Sequence, residues 1–109
     1  MAGAKLIVMY PQPDNVNEFE RIYHGEHVPM AIAKLAGKTK IVATRVLGLP
    51  QETAAFHRIA EIHFPSMAVL EACAASKEGQ EVIANANAIS SGGPPVLLVA
   101  EEETFNFVP

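Results

Sequence analysis

The sequence contains no tryptophan and only one cysteine, Cys73. A lone cysteine excludes an intrachain disulfide, so we expect the protein in a reducing compartment, the cytoplasm. Cys73 lies in an alanine-rich run with no histidine beside it, which favours a buried apolar thiol over a catalytic one. Without tryptophan, aromatic contacts with a ligand would depend on five phenylalanines and two tyrosines.

Charge is also scarce and has no basic bias. Only 18% of the residues are charged, the formal net charge is -4, and the eight lysines and arginines are scattered. This distribution argues against nucleic acid binding, which needs a basic stripe. The apolar run Leu6–Met9 is too short for a signal or membrane segment and predicts a strand, so no membrane partner is expected.

Half of the 109 residues are hydrophobic, which indicates a single domain over residues 1–109 with a real core. Periodicity, prolines and capping residues predict the order strand, helix, strand, strand, helix, strand. The expected strands are 5–10, 41–48, 56–64 and 96–100. The expected helices are a first one from Asp14 or Asn15, one from Ser66 to about residue 75 and one from Ser76 to about residue 88. This order is the ferredoxin-like split βαβ (βαββαβ) of the α+β class, a four-stranded antiparallel sheet with helices on one face.

The second face of such a sheet has no helix over it and would normally present polar residues. Here both Leu6–Met9 and Val96–Val99 are apolar on both faces. An identical sheet packed across a two-fold axis is the simplest cover, so we expect a homodimer. A monomer with a few exposed apolar residues is the alternative.

The segment Tyr23–Met30 concentrates the side chains suited to chemistry. Histidine titrates near neutral pH, so His24 and His27 indicate proton transfer or ligand binding. Pro29 would clash with the carbonyl four residues back, which predicts that the first helix ends or kinks at 25–27. A further helical turn over 30–35 is expected, with Pro29 at its first position.

Two roles are open for each histidine. Glu20, His24 and His27 share one helix face and could bind a divalent metal. Their spacing is not a known zinc pattern, so an ordinary solvent-exposed role for these side chains is favoured over a metal site. No metal or cofactor is predicted. His27, where the helix frays, is a candidate general acid or base together with Tyr23. The alternative for His27 is a helix C-cap that interacts with the helix dipole.

The first and third strands offer candidate ligand contacts. Tyr10, Phe56 and Phe64 are predicted to line a pocket beneath the helices, with His24 as a further ligand-binding residue. Ordinary core is the alternative for the two phenylalanines.

The opposite face of the third strand carries polar residues. His57, Glu61 and His63 alternate there, and a regular hairpin would bring Arg45 within reach of Glu61. We expect this ion pair, with the two histidines, at the dimer contact, where paired charges fix register rather than catalyse.

Several motifs recur in a fixed order along nearly the whole chain. They are Lys5–Pro11, Tyr23-x-x-x-His27-x-Pro29-Met30, Arg45–Gly48, His57–Phe64 followed by Ser66, and Ser76–Gln80. In this order the sequence resembles the EthD family of the dimeric α+β barrel superfamily. Each motif is soft, but their collinearity makes the resemblance specific.

The resemblance implies a ferredoxin-like protomer, a homodimer whose two sheets form a barrel, and a pocket between helices and sheet. It places the family histidine at His27 and the family tyrosine at Tyr23, whereas His24 is not a motif position. Relatives include monooxygenases, isomerases, cyclases and decarboxylases of small aromatic or polyketide-like substrates, mostly without metals. The family's namesake is similar to an accessory protein of a haem monooxygenase system that degrades an alkyl ether. Some relatives in the superfamily bind haem through a histidine, but they are longer than this chain, so the resemblance does not imply haem binding here.

We therefore hypothesise that the protein takes part in small-molecule catabolism, specifically xenobiotic degradation. It would bind an apolar or aromatic ligand and act alongside an oxygenase pathway. If it is an enzyme, we expect a cofactor-independent oxidoreductase or an isomerase- or decarboxylase-like activity by proton transfer or oxidation. The alternatives are a non-catalytic ligand-binding or accessory dimer and a purely structural assembly element. Phosphorylated ligands are disfavoured because no glycine-rich phosphate loop is visible.

Overall fold

The computed structural model of the chain describes residues 3–50 and 52–108. Its elements are β1 (Gly3–Pro11), α1 (Val16–Ile22), a π-helical turn (Tyr23–His27), α2 (Val28–Lys34), β2 (Lys40–Arg45), β3 (Phe56–Phe64), α3 (Met67–Ala75), α4 (Lys77–Ile89) and β4 (Val96–Glu102). The strands pair antiparallel in the order β2-β3-β1-β4, and the helices lie on one face. The predicted ferredoxin-like α+β architecture is therefore confirmed.

Side-chain caps determine where the helices begin. The side-chain oxygens of Asn15, Ser66 and Ser76 each accept a hydrogen bond from the backbone N–H three residues later, at 3.0, 3.3 and 2.9 Å. Each cap satisfies a donor that the first helical turn leaves unpaired. The helix starts predicted from these residues are confirmed.

The first α-helix ends at Ile22, and a π-helical turn occupies 23–27, where the sequence predicted an end or kink at 25–27. The Val28 N–H donates to the carbonyl of Tyr23, five residues back, which is the hydrogen bond of a π-helical turn. This wider turn accommodates the proline ring, which would otherwise clash with the carbonyl of Gly25. Pro29 then lies in the first turn of α2, as predicted, where its missing N–H costs little.

The π turn also sets the direction of His27. Successive residues of an α-helix are about 100° apart, so eight α-helical steps would leave His27 about 80° from the direction of Phe19. The extra residue of the π turn removes about 100°, which returns His27 to within about 20° of Phe19. Phe19, Tyr23 and His27 are accordingly all buried, whereas His24 is exposed.

A β-bulge interrupts the alternation of β3. The register between β1 and β3 shifts after Tyr10, and His57 is left without a partner on β1. His57 and its neighbour Arg58 consequently both reach Glu20 of α1. The predicted position of His57 on the uncovered face is therefore wrong.

The predicted Arg45–Glu61 pair is also wrong. β2 ends at Arg45, which lies opposite Arg58 and three residues from the strand position opposite Glu61. Glu61 instead accepts a hydrogen bond from Lys5 Nζ of β1 at 2.5 Å. The prediction assumed a hairpin of different register, and the long connection 46–55 moves the pairing.

The core lies between the helices and the sheet. Val8 of β1 and Ile62 of β3 point toward the helices, and Leu70 of α3 and Val82 of α4 pack against them. Among the helices of the described ranges, none is long and apolar enough to cross a membrane.

Gly79 is required where α4 passes the end of α3. A Cβ on Gly79 would lie 1.9 Å from the carbonyl oxygen of Cys73, so the backbone would have to move. We expect Gly79→Ala to lower the free energy of unfolding by about 2–3 kcal/mol in urea denaturation. Gly25→Ala is the matched control: its Cβ meets nothing within 4 Å, and it should raise stability by about 0.5–1 kcal/mol. Equal effects of the two variants would contradict this packing.

Candidate active site

A small cavity lies between the helices and the sheet. The volume of the cavity is about 40 Å³, which is room for roughly three water-sized groups. Its lining is aliphatic side chains, alanines, Gly79, Phe64 and Cys73, with three hydrogen-bonding side chains: Tyr10, Tyr23 and His27. Leu97 of β4 is the one exposed lining residue, so the cavity lies nearest to solvent beside β4.

His27 is the basic group of this cavity. Its side chain is buried, with Nε2 3.2 Å from the hydroxyl of Tyr10 and Nδ1 2.7 Å from Oδ1 of Asn85. Burial lowers the pKa of His27 below its usual value of 6.5, and the hydrogen bond with Asn85 opposes this shift. The imidazole is therefore neutral at pH 7, with one nitrogen able to accept a proton.

Both tyrosines of the cavity are protonated donors. Burial raises the pKa of the Tyr10 phenol, and the nearby Tyr23 adds to this shift. Burial also raises the pKa of Tyr23, although the charge of Arg58 acts in the opposite direction. A neutral base and two hydroxyl donors thus meet in one apolar space.

Aromatic stacking holds these groups in place. The rings of Phe19 and Tyr23 stack with centroids 5.6 Å apart, and those of Tyr23 and His27 stack at 5.8 Å. The Tyr10 ring contacts the rings of Phe19, Tyr23 and His27 edge-on, at centroid distances of 5.3, 5.7 and 6.2 Å respectively. Such pairs stabilise fixed ring orientations, so His27 and the phenols are preorganised.

A charged cluster lies next to the stacked rings. The carboxylate of Glu20 accepts hydrogen bonds from the Arg58 guanidinium at 2.6 and 3.1 Å and forms a 3.1 Å contact with His57 Nε2. The hydrogen bonds from Arg58 lower the pKa of Glu20 to about 2. The guanidinium lies 5.1 Å from the ring centroid of Tyr23 and 3.0 Å from His24 Nε2. The cluster fastens α1 to β3 and neutralises the cation beside the cavity.

The structure brings four of the six predicted site residues to the cavity: Tyr10, Tyr23, His27 and Phe64. It does not bring His24 there, because the π turn separates the two histidines and His24 points outward to Arg58. Phe56 is half-buried at the start of β3 and is not part of the lining. Among residues 3–50 and 52–108, no group of three or more His, Cys, Asp or Glu is placed to hold a metal.

Sequence reasoning missed Asn85. Val82 and Ala86 define the buried face of α4, and Asn85, three residues after Val82, lies on the same side. A polar residue on the apolar side of an amphipathic helix was the available signal. Its partner His27 is 58 residues away in sequence, so the contact depends on how α4 packs against the π turn.

Comparison with known proteins gives a consistent result. A family model described as the EthD domain matches residues 15–88. A solved ethyl tert-butyl ether d (EthD) family protein from Bacillus halodurans is similar with a TM-score of 0.84 and 26% identity, over 94% of this chain and 100% of that one. No curated protein matches the sequence.

Two further solved structures share the fold. A hydroxynitrile lyase from Passiflora edulis has a TM-score of 0.71 and 16% identity, over 95% of this chain and 97% of that one. A dimeric ferredoxin-like protein of unknown function from Jannaschia has a TM-score of 0.61 and 16% identity, over 95% and 100%. At these identities the likeness concerns the fold alone.

The burial of His27 predicts a measurable titration. Because the folded chain disfavours the imidazolium, the unfolded chain binds the proton first, and stability is lost as the pH falls from about 6.5 toward the lower folded-state pKa. We expect an NMR titration of the carbon-bound imidazole protons to give a lower pKa for His27 in the folded protein than in urea. An equal or higher folded-state pKa would contradict the buried neutral imidazole.

Proposed function

We propose, since this chain belongs to the EthD domain family, that it binds a small, neutral, apolar molecule bearing an oxygen atom and exchanges a proton with it through His27. One observation carries the proposal: a neutral imidazole and two protonated phenols converge in a cavity that no charged side chain among residues 3–50 and 52–108 lines. A location in the cytoplasm and an association with an oxygenase pathway belong to the same proposal.

The electrostatics of the cavity favour a neutral ligand. Burying a carboxylate costs several kcal/mol unless a cation pairs with it. The nearest arginine, Arg58, is already paired with Glu20 outside the cavity. Ethyl tert-butyl ether, which the name of the Bacillus halodurans relative contains, is a neutral molecule of the favoured kind.

The size of the cavity limits the ligand. About 40 Å³ accommodates only a few heavy atoms without movement of the lining. A larger ligand requires a side chain at the rim to move, and Leu97, which is 38% exposed, is the one least confined. We therefore favour compact molecules, and those with more than about three non-hydrogen atoms require this movement.

The three polar side chains suit proton transfer to and from oxygen. His27 supplies a lone pair near neutral pH, and the hydroxyl of Tyr23 can donate to a ligand oxygen as negative charge develops on it. The low local dielectric strengthens both interactions. One solved protein of this fold is a hydroxynitrile lyase, so the fold accommodates chemistry on a small neutral hydroxyl compound.

Ligand class and the role of His27 are tested together. We expect compact neutral alcohols, ethers, ketones and nitriles to bind, as measured by ligand-observed NMR, and carboxylates of equal size to bind at least about tenfold more weakly. His27→Asn should abolish turnover of a bound compound while binding persists. His24→Asn, the control outside the cavity, should retain both.

The possible results discriminate between functions. Binding by the wild type without turnover of any compound would support the alternative, a non-catalytic ligand-binding or accessory dimer. Absence of binding throughout the neutral series, or equal binding of carboxylates, would contradict the proposed ligand class.

The uncovered face of the sheet supports a homodimer as part of the proposal. One end of this face is apolar: Ile7, Met9, Val42, Ile59, Val96 and Leu98. The other end is charged, with Lys5 bonded to Glu61 and Glu102 at 2.5 and 3.3 Å, and His63 3.7 Å from Glu102. A second copy would bury the apolar end and match the charges across a two-fold axis. Dimeric proteins occur among the solved structures of this fold.

A single charge on the apolar end tests the dimer. Leu98 is 45% exposed there, and Leu98→Glu should convert the dimer to a monomer, because a buried carboxylate without a partner is costly. Leu47→Glu is the control: Leu47 is 92% exposed in the connection after β2, and its substitution should leave the mass unchanged. Light scattering after size exclusion reports the mass. A monomeric wild type would contradict the proposed assembly.

A further inference from the structure

Three buried or half-buried side chains form a continuous hydrogen-bonded chain: Asn85 of α4, His27 of the π turn and Tyr10 of β1. We propose that Asn85 is a positioning residue that keeps His27 protonated on Nδ1, so that Nε2, which faces Tyr10, is the basic nitrogen. Asn85 itself does not line the cavity and acts through His27. The second part of the proposal, a relay through Tyr10, rests on the proposed function.

Only two proton arrangements satisfy both contacts of the neutral imidazole. In the first, Nδ1–H donates to Oδ1 of Asn85 and the Tyr10 hydroxyl donates to Nε2. In the second, the Asn85 amide is turned so that its NH₂ donates to Nδ1, and Nε2–H donates to the Tyr10 oxygen. Distances between heavy atoms are compatible with either arrangement, so the phenol proton decides.

The second arrangement leaves the Tyr10 proton without an acceptor. Tyr10 has no exposed surface, and within residues 3–50 and 52–108 His27 is the only hydrogen-bond partner of its hydroxyl. A buried donor without a partner is disfavoured by a factor of about ten to one hundred in population. The first arrangement pairs every donor, so the geometry favours Nδ1–H and a lone pair on Nε2.

This assignment gives the proton a defined route. Once the lining moves enough for a ligand hydroxyl to reach the Tyr10 oxygen, the ligand donates to that oxygen, and the Tyr10 proton moves to Nε2. The ligand O–H bond breaks, an Nε2–H bond forms, and Tyr10 loses one proton and gains another. The imidazolium then keeps its Nδ1–H bond to Asn85, and the ligand oxyanion accepts the hydrogen bond of Tyr23. The reverse transfer returns the proton to the product.

The tautomer is measurable in the full-length protein without any ligand. We expect long-range ¹H–¹⁵N correlation spectra of the ¹⁵N-labelled protein at about pH 8 to show protonated Nδ1 and unprotonated Nε2 for His27. Asn85→Leu removes the acceptor of Nδ1–H and should lower the Nδ1–H fraction of His27 relative to the wild type, because Nδ1–H is then an unpaired buried donor as well. Asn85→Asp should retain Nδ1–H and raise the pKa of His27, because a carboxylate stabilises the imidazolium.

Asn87→Leu is the matched control, since Asn87 is exposed on α4 and its side chain donates to the carbonyl of Ile83. It should leave the His27 spectrum unchanged. An Nε2–H tautomer in the wild type, or an unchanged tautomer in a folded Asn85→Leu, would overturn the assignment. If Asn85→Leu does not fold, Asn85→Asp provides the test. An unchanged pKa of His27 in that variant would then overturn the assignment. Because these spectra need no ligand, failure of ligand binding would refute the proposed function and the relay while leaving the tautomer assignment testable by itself.

Discussion

Pro29 cannot donate a backbone hydrogen bond. Even so, the helical segment formed by α1, the π turn and α2 keeps one buried face toward the sheet, from Phe19 to Leu35. The π turn at 23–27 reconciles these two requirements, because its five-residue hydrogen bond admits the proline ring and adds one residue to the turn. That residue rotates His27 into the core and under the stacked ring of Tyr23. The burial of His27, its neutral state and its contacts with Tyr10 and Asn85 all follow from this rotation.

The charges of the chain are arranged to leave the cavity neutral. Arg58 lies beside Tyr23, but Glu20 pairs with it through two hydrogen bonds, and the bulge at His57 adds a third partner to the same carboxylate. On the opposite face of the sheet, Lys5 pairs with Glu61 and Glu102. The interior site is thus apolar with hydrogen-bonding groups but no ion, an environment suited to a neutral molecule whose proton is shared rather than fully separated.

The sequence predicted the parts of the structure that depend on local physics. Asn15, Ser66 and Ser76 marked the helix starts because a short polar side chain after an extended residue caps a helix. His27 was selected as a candidate from its residue type and its place before Pro29, and it lines the cavity. The π turn was not predicted, because an extra residue in a helix changes no local pattern and is fixed only by packing on both sides of it.

Contacts between distant segments were the other failures. His57 was placed on the wrong face because alternation was assumed to be regular, and a bulge leaves no clear sequence signal. The Arg45–Glu61 pair failed because register depends on the length and path of the connection between the strands. Asn85 went unnoticed because its meaning arises only when α4 is packed against the π turn.

The proposed function depends on His27 facing a space that a small molecule can occupy. A crystal structure of the protein soaked with a mixture of compact neutral alcohols, ethers and nitriles tests this directly. We expect ligand density in the cavity, with an oxygen or nitrogen atom within hydrogen-bond distance of the imidazole, the Tyr10 hydroxyl or the Tyr23 hydroxyl. A cavity filled by protein side chains, with no ligand beside His27, would contradict it.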